Sequence, residues 1–538
     1  MDQKSTEACE QIILALLEKP ELTEFELGKV KRAVAKKYHI FQPKNSQLLS
    51  VYHELIKEKR INPRPELARL LITRRVRSLS GVSVISVLTK PYPCPGRCLY
   101  CPEQKGVPKS YLRNEPAVMR AIDHQYDPYR QVASRIAALV SLGHPTDKLE
   151  LIVIGGTWSY LPHDYQTDFI HRCFQAANQQ LSQSLSEAHR INAQAKHRII
   201  GLTLETRPDY INPAEIKRMR QLGATKVELG VQCLDDRILS LNQRGHGVKA
   251  VAQATRWLKD AGFKVGYHLM LNLPGASIEQ EKSAAQLMFN DQRFRPDFLK
   301  IYPTAILPEA PLYRWWQEGR YKPYSRRELI ELIKFIKERV PVYCRIQRVI
   351  RDIPSENVPV GPVKTTNLRE IVLAEMKKEG RACRCIRCRE IKENQSGEEP
   401  VLFRDDYSSA QGTEIFLSLE NPQRDCLSAL LRLRIPSGAF SQKNHFWPVL
   451  NRAALIRELH TYGRHLPLGE KDPLSAQHHG LGQKLIIEAE KITSQEFADR
   501  VDKIAVIAGI GTREYYRRFG YELEDTYMVK PLTRSKDA

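Results

Sequence analysis

Between residues 82 and 301, six short apolar runs recur with helix-length stretches between them, and this alternation constrains the fold most. The runs are 82–88, 150–154, 199–203, 225–229, 265–271 and 298–301. Strands separated by helices return in the same direction, so the pattern predicts an α/β fold built on a parallel sheet. Six units predict a partial (β/α)6 barrel rather than a closed eight-fold one. Reactive residues in such barrels collect where the strands end. Here a cysteine-rich loop follows the first strand, Gly155-Gly156-Thr157 the second and Glu205-Thr-Arg207-Pro-Asp209 the third. Gln232 lies just beyond the fourth, and Asn272-Leu-Pro-Gly275 follows the fifth.

The first of these loops reads Lys90-Pro-Tyr-Pro-Cys94-Pro-Gly-Arg-Cys98-Leu-Tyr-Cys101. Soft thiolates converging from a short Pro/Gly loop suit a four-iron cluster, and three of them leave one iron without a protein sulfur. A structural zinc site wants four ligands, and no other Cys or His lies close before His124. The loop resembles that of radical S-adenosylmethionine enzymes, in which the open iron binds the amino and carboxylate groups of the cofactor. Gly155 and Gly156 leave backbone bare at a strand end, where a cofactor amino group could reach carbonyl oxygens. Glu205 and Arg207 either contact that cofactor or form a structural ion pair.

The 83 basic against 62 acidic side chains leave a net charge of +21, a field that attracts polyanions. Two stretches of the first eighty residues concentrate it: Lys29, Lys31, Arg32, Lys36 and Lys37, then Lys57, Lys59, Arg60, Arg64, Arg69, Arg74, Arg75 and Arg77. Ile12, Ile13, Leu16 and Leu17 mark an apolar helix face there, so residues 1–80 read as a basic helical arm for nucleic acid. Six of the eleven cysteines fall in two triplets, which indicates metal ligation in a reducing, cytoplasmic setting and not a disulfide framework. No stretch approaches the length of a membrane span.

We divide the rest into residues 81–340 for the barrel, 341–398 for a basic linker and 399–538 for a C-terminal domain. The linker carries Cys383-Arg-Cys385-Ile-Arg-Cys388, a zinc site short of one ligand, with Cys344 as a candidate fourth. In the C-terminal domain, Gln477-His-His-Gly480-Leu481-Gly482-Gln483 opens a helix whose first N–H groups could hold a pyrophosphate. A strand at 503–509 and a segment bearing Tyr515 and Tyr516 follow. This ordered set resembles the GNAT acetyltransferase fold, where the glycine loop holds acetyl-CoA and a tyrosine approaches the thioester.

Both halves in one chain are similar to the elongator protein 3 family, the catalytic subunit of Elongator, and the compact cysteine spacing resembles its bacterial and archaeal members. The resemblance implies a tRNA uridine(34) acetyltransferase using a 4Fe-4S cluster, S-adenosylmethionine and acetyl-CoA. In the family's mechanism the deoxyadenosyl radical takes hydrogen from the acetyl methyl. The carbon radical adds to C5 of the wobble uridine, and thioester hydrolysis leaves a carboxymethyl group. Carried onto this sequence, Cys94, Cys98 and Cys101 hold the cluster. Gly155, Gly156, Thr157, Glu205, Arg207 and Gln232 face the cofactor. Lys148, Glu458, Leu459, His460, Thr461, Gln477, Gly480, Leu481, Gly482, Gln483 and Tyr516 face acetyl-CoA, with Tyr515, Tyr516 and Glu458 as the catalytic candidates. The implied partner is the anticodon stem-loop of tRNA, with a homodimer as a further expectation and accessory subunits not evident. The rival readings are a protein lysine acetyltransferase that uses Glu458 as base over a structural cluster domain, and a tRNA-binding protein with vestigial sites.

Overall fold

The computed structural model describes residues 2–72, 81–364, 367–391, 399–441, 444–463 and 480–532. Seven strands, β1 (Ser83–Leu88), β2 (Lys148–Ile154), β3 (Arg198–Thr206), β4 (Lys226–Gln232), β5 (Lys264–Leu271), β6 (Phe298–Pro303) and β7 (Arg345–Arg348), lie side by side in chain order. Every neighbouring pair is parallel. With β1 and β7 at the two edges, the sheet is the expected half-barrel with one strand more than the sequence predicts. Arg345-Ile-Gln-Arg348 has a single apolar residue, so only its pairing with β6 makes it a strand.

Helices begin where the chain supplies caps: Asp127 accepts from Arg130 N ahead of Pro128, and Asn212 from Glu215 N ahead of Pro213. Val227, Leu229, Val265, Leu269, Leu299 and Ile301 face those helices in one large apolar core. The alternate positions, among them Lys226, Glu228, Lys264, His268 and Lys300, line the inner face instead. Parallel strands covered on both sides usually run apolar throughout, and barrel interiors are usually filled by branched apolar residues. Here the inner face is filled instead by buried, paired charges.

The C-terminal sheet comprises β8 (Val401–Ser409), β9 (Gly412–Glu420), β10 (Leu427–Ile435), β11 (Ala453–Thr461), β12 (Lys503–Val506), β13 (Glu522–Glu524) and β14 (Tyr527–Pro531), in the order β13-β14-β12-β11-β10-β9-β8. Only β11 and β12 are parallel, from Ala453↔Lys503 to Ile456↔Val506. β11 runs on beside β10 as far as Thr461 after β12 has ended, so the sheet splits there. Helix Leu481–Glu496 packs its Leu485, Ile486 and Ala489 onto the sheet, completing the acetyltransferase arrangement anticipated from the glycine loop.

This second sheet covers the N-terminal ends of the barrel strands. Arg457 donates to Phe263 O at 2.7 Å and to Asp297 at 2.6 and 2.9 Å, Arg434 reaches Asp260 at 2.6 Å, and Tyr527 Oη donates to Ala261 O at 2.8 Å. At Gly509 the contact is backbone on backbone: a Cβ there would lie 1.9 Å from Ile200 O. Gly509→Ala should therefore push the two sheets apart. We expect a loss of about 3 kcal/mol or more, the scale of severe overpacking, read as a lowered urea midpoint.

Helices Gln3–Leu17, Glu24–Lys37, Asn45–Lys57 and Pro65–Leu71 enclose a separate small core built on Ile12, Ile13, Leu16, Leu48 and Tyr52. Lys29, Arg32, Lys36, Lys37, Lys57 and Lys59 are exposed. Two of the basic residues assigned to nucleic acid hold the bundle together instead. Arg64 Nη1 caps the carbonyls of Leu17 and Lys19 at 3.0 and 2.9 Å, and Arg60 forks onto Glu10. Arg74, Arg75 and Arg77 lie outside the described residues.

Candidate functional site

The three-cysteine loop sits over the C-terminal mouth of the half-barrel. Gly96 lies between two of the sulfurs: a Cβ there would meet Arg207 Nη1 at 2.7 Å, and Gly96 N donates to Cys94 Sγ at 3.4 Å. Arg244 Nη1 donates to Cys98 Sγ at 3.5 Å while its Nη2 is fixed on Gly230 O at 2.6 Å. Burial, then the neighbouring Cys98 sulfur, pushes the Cys101 thiol up to about 11. Cations bound among these sulfurs would reverse that shift and leave thiolates. Arg207 chelates Asp209 through Nε and Nη2 at 3.0 and 2.8 Å, so the ion pair is real. Its Nη1 remains buried without a partner and points at Gly96. Three thiols in one short loop, amide and guanidinium donors to sulfur, and an orphan guanidinium nitrogen beside Gly96 fit an iron–sulfur cluster with an anionic ligand beside it. Cys233 packs in the same apolar group, but its thiol donates to Asp235 O.

Gly155 has φ +131°, and a Cβ there would strike Thr89 Oγ1 at 2.1 Å; Gly156 has φ +105°, and a Cβ there would only touch Lys109 O at 3.9 Å. The β2 end is thus bare backbone, as its glycines require. Thr157 O accepts from Tyr160 N at 3.0 Å, turning the chain back over the mouth. Gln232 closes β4 in the left-handed region, φ 71°. Glu205 points inward and accepts from Lys300 Nζ at 2.9 Å, with Tyr111 Oη 3.5 Å from its other oxygen. From there an ion chain descends through the barrel. Lys300 also pairs with Glu228, which accepts from His268 Nε2 at 2.9 Å, and Lys226 bridges Glu228 and Glu150 at 3.5 and 2.8 Å. Burial opposes ionisation of Glu228, yet Lys300 and Lys226 hold it well below the usual carboxylate range. The sequence reading missed this chain, although the alternation Lys226-Val-Glu228-Leu and Lys264-Val-Gly-Tyr-His268 carries its signal.

At the opposite, N-terminal mouth, a cavity of about 810 Å³ lies between the barrel and the split in the C-terminal sheet. Glu150, Lys226, Lys264 and Arg345 line it from the barrel, and Glu458, His460 and Tyr516 from the other domain. Burial raises the Glu458 carboxyl, but Arg432 Nε at 2.6 Å, then Lys264, outweigh it and keep the group below the ordinary range. Burial pushes His460 down to about 4, and its Nε2 is buried without a partner. Leu459 is a further lining residue, whereas Thr461 ends β11 opposite Ala429. Gly480 begins the helix at φ 74°, and Leu481, Gly482 and Gln483 form its first turn, whose N–H groups have no intrahelical acceptor. The two tyrosines divide: Tyr516 is buried at the cavity, while Tyr515 lies against Gly482, its Oη 2.6 Å from where a Cβ would be. Lys148 starts β2 beside Asp147 and Arg198 and is not part of the cavity lining. Gln477 lies outside the described residues.

The ligand atoms of Cys383, Cys385 and Cys388 all lie within 4.8 Å of one another. Hydrogen bonds from Cys383, then Cys388, hold the Cys385 thiol well below the ordinary thiol range. Three sulfurs this close suit a divalent metal. Cys344 is buried next to them, its carbonyl accepting from Ile386 N at 3.0 Å, but it is not one of the three convergent sulfurs.

An open parallel half-barrel with a three-cysteine loop at its C-terminal mouth defines a radical S-adenosylmethionine protein. Residues 92–288 match the Radical SAM superfamily and residues 296–378 the Radical_SAM C-terminal domain. The chain is 47% identical over 465 residues to the tRNA uridine(34) acetyltransferase of Dehalococcoides mccartyi, covering 85% of this chain and 99% of that one. It is 39% identical over 530 residues to human Elongator complex protein 3, covering 95% and 94%. The solved archaeal Methanocaldococcus infernus Elp3 with an N-terminal deletion (1–46) superposes with a TM-score of 0.73 at 42% identity, covering 84% of this chain and all of that one. This chain belongs to the elongator protein 3 family.

Proposed function

We propose that this protein is a tRNA uridine(34) acetyltransferase that installs a carboxymethyl-type group at C5 of the wobble base, with acetyl-CoA as the acyl donor. The observation that carries the reading is the pairing, in one chain, of a three-thiol loop at one mouth of a polar half-barrel with a split-sheet cavity at the other. Cys94, Cys98 and Cys101 would hold a 4Fe-4S cluster, with Gly155, Gly156 and the free Arg207 nitrogen beside its cofactor. Such a cluster with S-adenosylmethionine supplies an oxidant strong enough to take hydrogen from an unactivated methyl group.

The protein's own groups do the rest. The first turn at Leu481–Gln483 would take the pyrophosphate of acetyl-CoA. The free edge of β11 would run beside the pantetheine, leading the thioester towards Glu458, His460 and Tyr516. The exposed lysines of the N-terminal bundle would contact tRNA phosphates around the anticodon stem-loop, giving position, while unstacked loop bases give specificity. Cys383, Cys385 and Cys388 would hold a zinc ion that braces the linker against β7 and the C-terminal sheet. No helix among the described residues is long and apolar enough to cross a membrane, and we place the reaction in the cytoplasm.

The test is anaerobic. The reconstituted protein is given dithionite, S-adenosylmethionine, methyl-labelled acetyl-CoA and unmodified tRNA, and the nucleosides are weighed. Label in a carboxymethyl group on uridine is expected. Acetylated lysine peptides with unlabelled RNA would overturn the reading in favour of the lysine acetyltransferase, for which the Arg432-bound Glu458 is a poor base.

A further inference from the structure

The charges around the cavity are almost all matched. Lys226 is held by Glu150, Arg345 by Glu390 at 2.7 Å, Arg457 by Asp297 and Glu414, and Glu458 by Arg432. Lys264 is different. It starts β5 on the inner face of the barrel, half-buried, and its ammonium makes no hydrogen bond or ion pair among the described residues. Arg387, on the linker helix Ile386–Arg389, is the other lining cation without a carboxylate among those residues. Lys264, however, shares its surroundings with the acyl end of the cavity, since Glu458 and His460 both feel its charge. The groups whose charges act on Lys264 come from four strands: Glu150 on β2, Lys226 on β4, Arg432 on β10 and Glu458 on β11. Two groups without partners thus face one space: the Lys264 ammonium from the barrel and the buried His460 Nε2 from the acetyltransferase sheet.

A half-buried ammonium with carboxylates near it but no direct ion-pair partner suits an oxygen that becomes negative during reaction, because its attraction is strongest where water is excluded. We propose that Lys264 is a catalytic residue for opening the thioester: its ammonium binds the acyl carbonyl oxygen and stabilises the oxyanion formed there. The inference rests on the acetyl-CoA reading above. In this step a water oxygen adds to the acyl carbon, and the carbonyl electron pair moves to oxygen beside Lys264 Nζ. Collapse breaks the carbon–sulfur bond, and the proton lost by the water ends on the departing sulfur. A thioester and water become a carboxylic acid and a thiol, with no oxidant or reductant required. The acyl site is then composite: the radical domain supplies the electrophile for chemistry on a substrate held by the other domain.

The experiment measures release of free CoA thiol from acetyl-CoA by the full-length holoenzyme with tRNA, alongside acetyl-CoA affinity. Lys264→Met should lower kcat by about 10²–10³, the usual effect of losing one oxyanion donor, while acetyl-CoA affinity stays within about threefold. Lys264→Arg should recover a large part of the rate. Burial lowers the Lys264 pKa, so the wild-type rate should fall on the alkaline side as the ammonium loses its proton. The Arg variant should lose that alkaline limb, a change that a merely structural lysine would not produce. Wild-type thiol release by Lys264→Met, or an effect on KM alone, would overturn the proposal while leaving the acetyl-CoA reading intact. Wild-type protein that neither binds acetyl-CoA nor releases thiol would overturn both. If Lys264→Met does not fold, the Arg variant decides: an unchanged alkaline limb counts against Lys264.

Discussion

Cys98→Ala should reduce uridine modification to background while the chain stays folded and still binds acetyl-CoA. Cys98 is 4% exposed and takes a hydrogen bond from Arg244, so its loss removes a proposed cluster ligand and leaves one guanidinium nitrogen without its acceptor. An unsatisfied donor of this kind costs about 1–3 kcal/mol, too little to unfold a barrel anchored by so large a core. The cavity proposed for acetyl-CoA is at the other mouth. Lys226 lines the cavity and Gln232 ends the same strand at the cluster side, about 20 Å away at the usual rise per residue. Iron content, the visible absorption of the cluster and nucleoside mass should therefore all fall together, with acetyl-CoA affinity unchanged. Loss of acetyl-CoA binding as well would mean that the two ends do not fold independently.

Asp297→Ala should be the most damaging single change at the seam between the two sheets. Asp297 is fully buried just before β6, and Arg457, Lys259 and Arg432 converge on its carboxylate at 2.6, 3.5 and 3.6 Å. Burial works against its ionisation, but Arg457 and Lys259 hold its carboxyl far below the usual range. Removing it leaves several buried cations short of an anion at the seam between the two sheets, a loss of about 3–5 kcal/mol. Because the folded carboxyl is the stronger acid, its stabilisation is complete above the ordinary aspartate range and is lost as the pH falls below it. Urea titrations should show wild type weakening towards acid pH, with Asp297→Ala already weak at neutral pH. A midpoint within 0.3 M of wild type would contradict this account of the seam.

Six of the seven barrel strands were legible because apolar runs of strand length alternate with helical stretches, and the cysteine and glycine loops fall at the strand ends. The cavity was not. It depends on where β12 stops beside β11, and Lys503 to Val506 reads no differently from a strand that runs on to Gly509. Nor does composition separate the arginines that hold the fold from those that could meet RNA. Arg64 looks like its basic neighbours until its contacts with Leu17 and Lys19 are seen. The inner ion chain was readable in principle, since the charged residues and the histidine of β4, β5 and β6 fall only on alternate positions, a period-two signal. An apolar interior is the ordinary expectation for a barrel, and it hides that signal.

The central claim is that both mouths of the barrel act on one acetyl group. The most direct measurement supplies acetyl-CoA with a trideuterated methyl to the reduced holoenzyme with S-adenosylmethionine and tRNA, then weighs the 5′-deoxyadenosine released. Deuterium in that product, at a yield matching the modified uridine, is the predicted result. Unlabelled 5′-deoxyadenosine alongside modified uridine would show that the hydrogen comes from elsewhere, and would contradict the account.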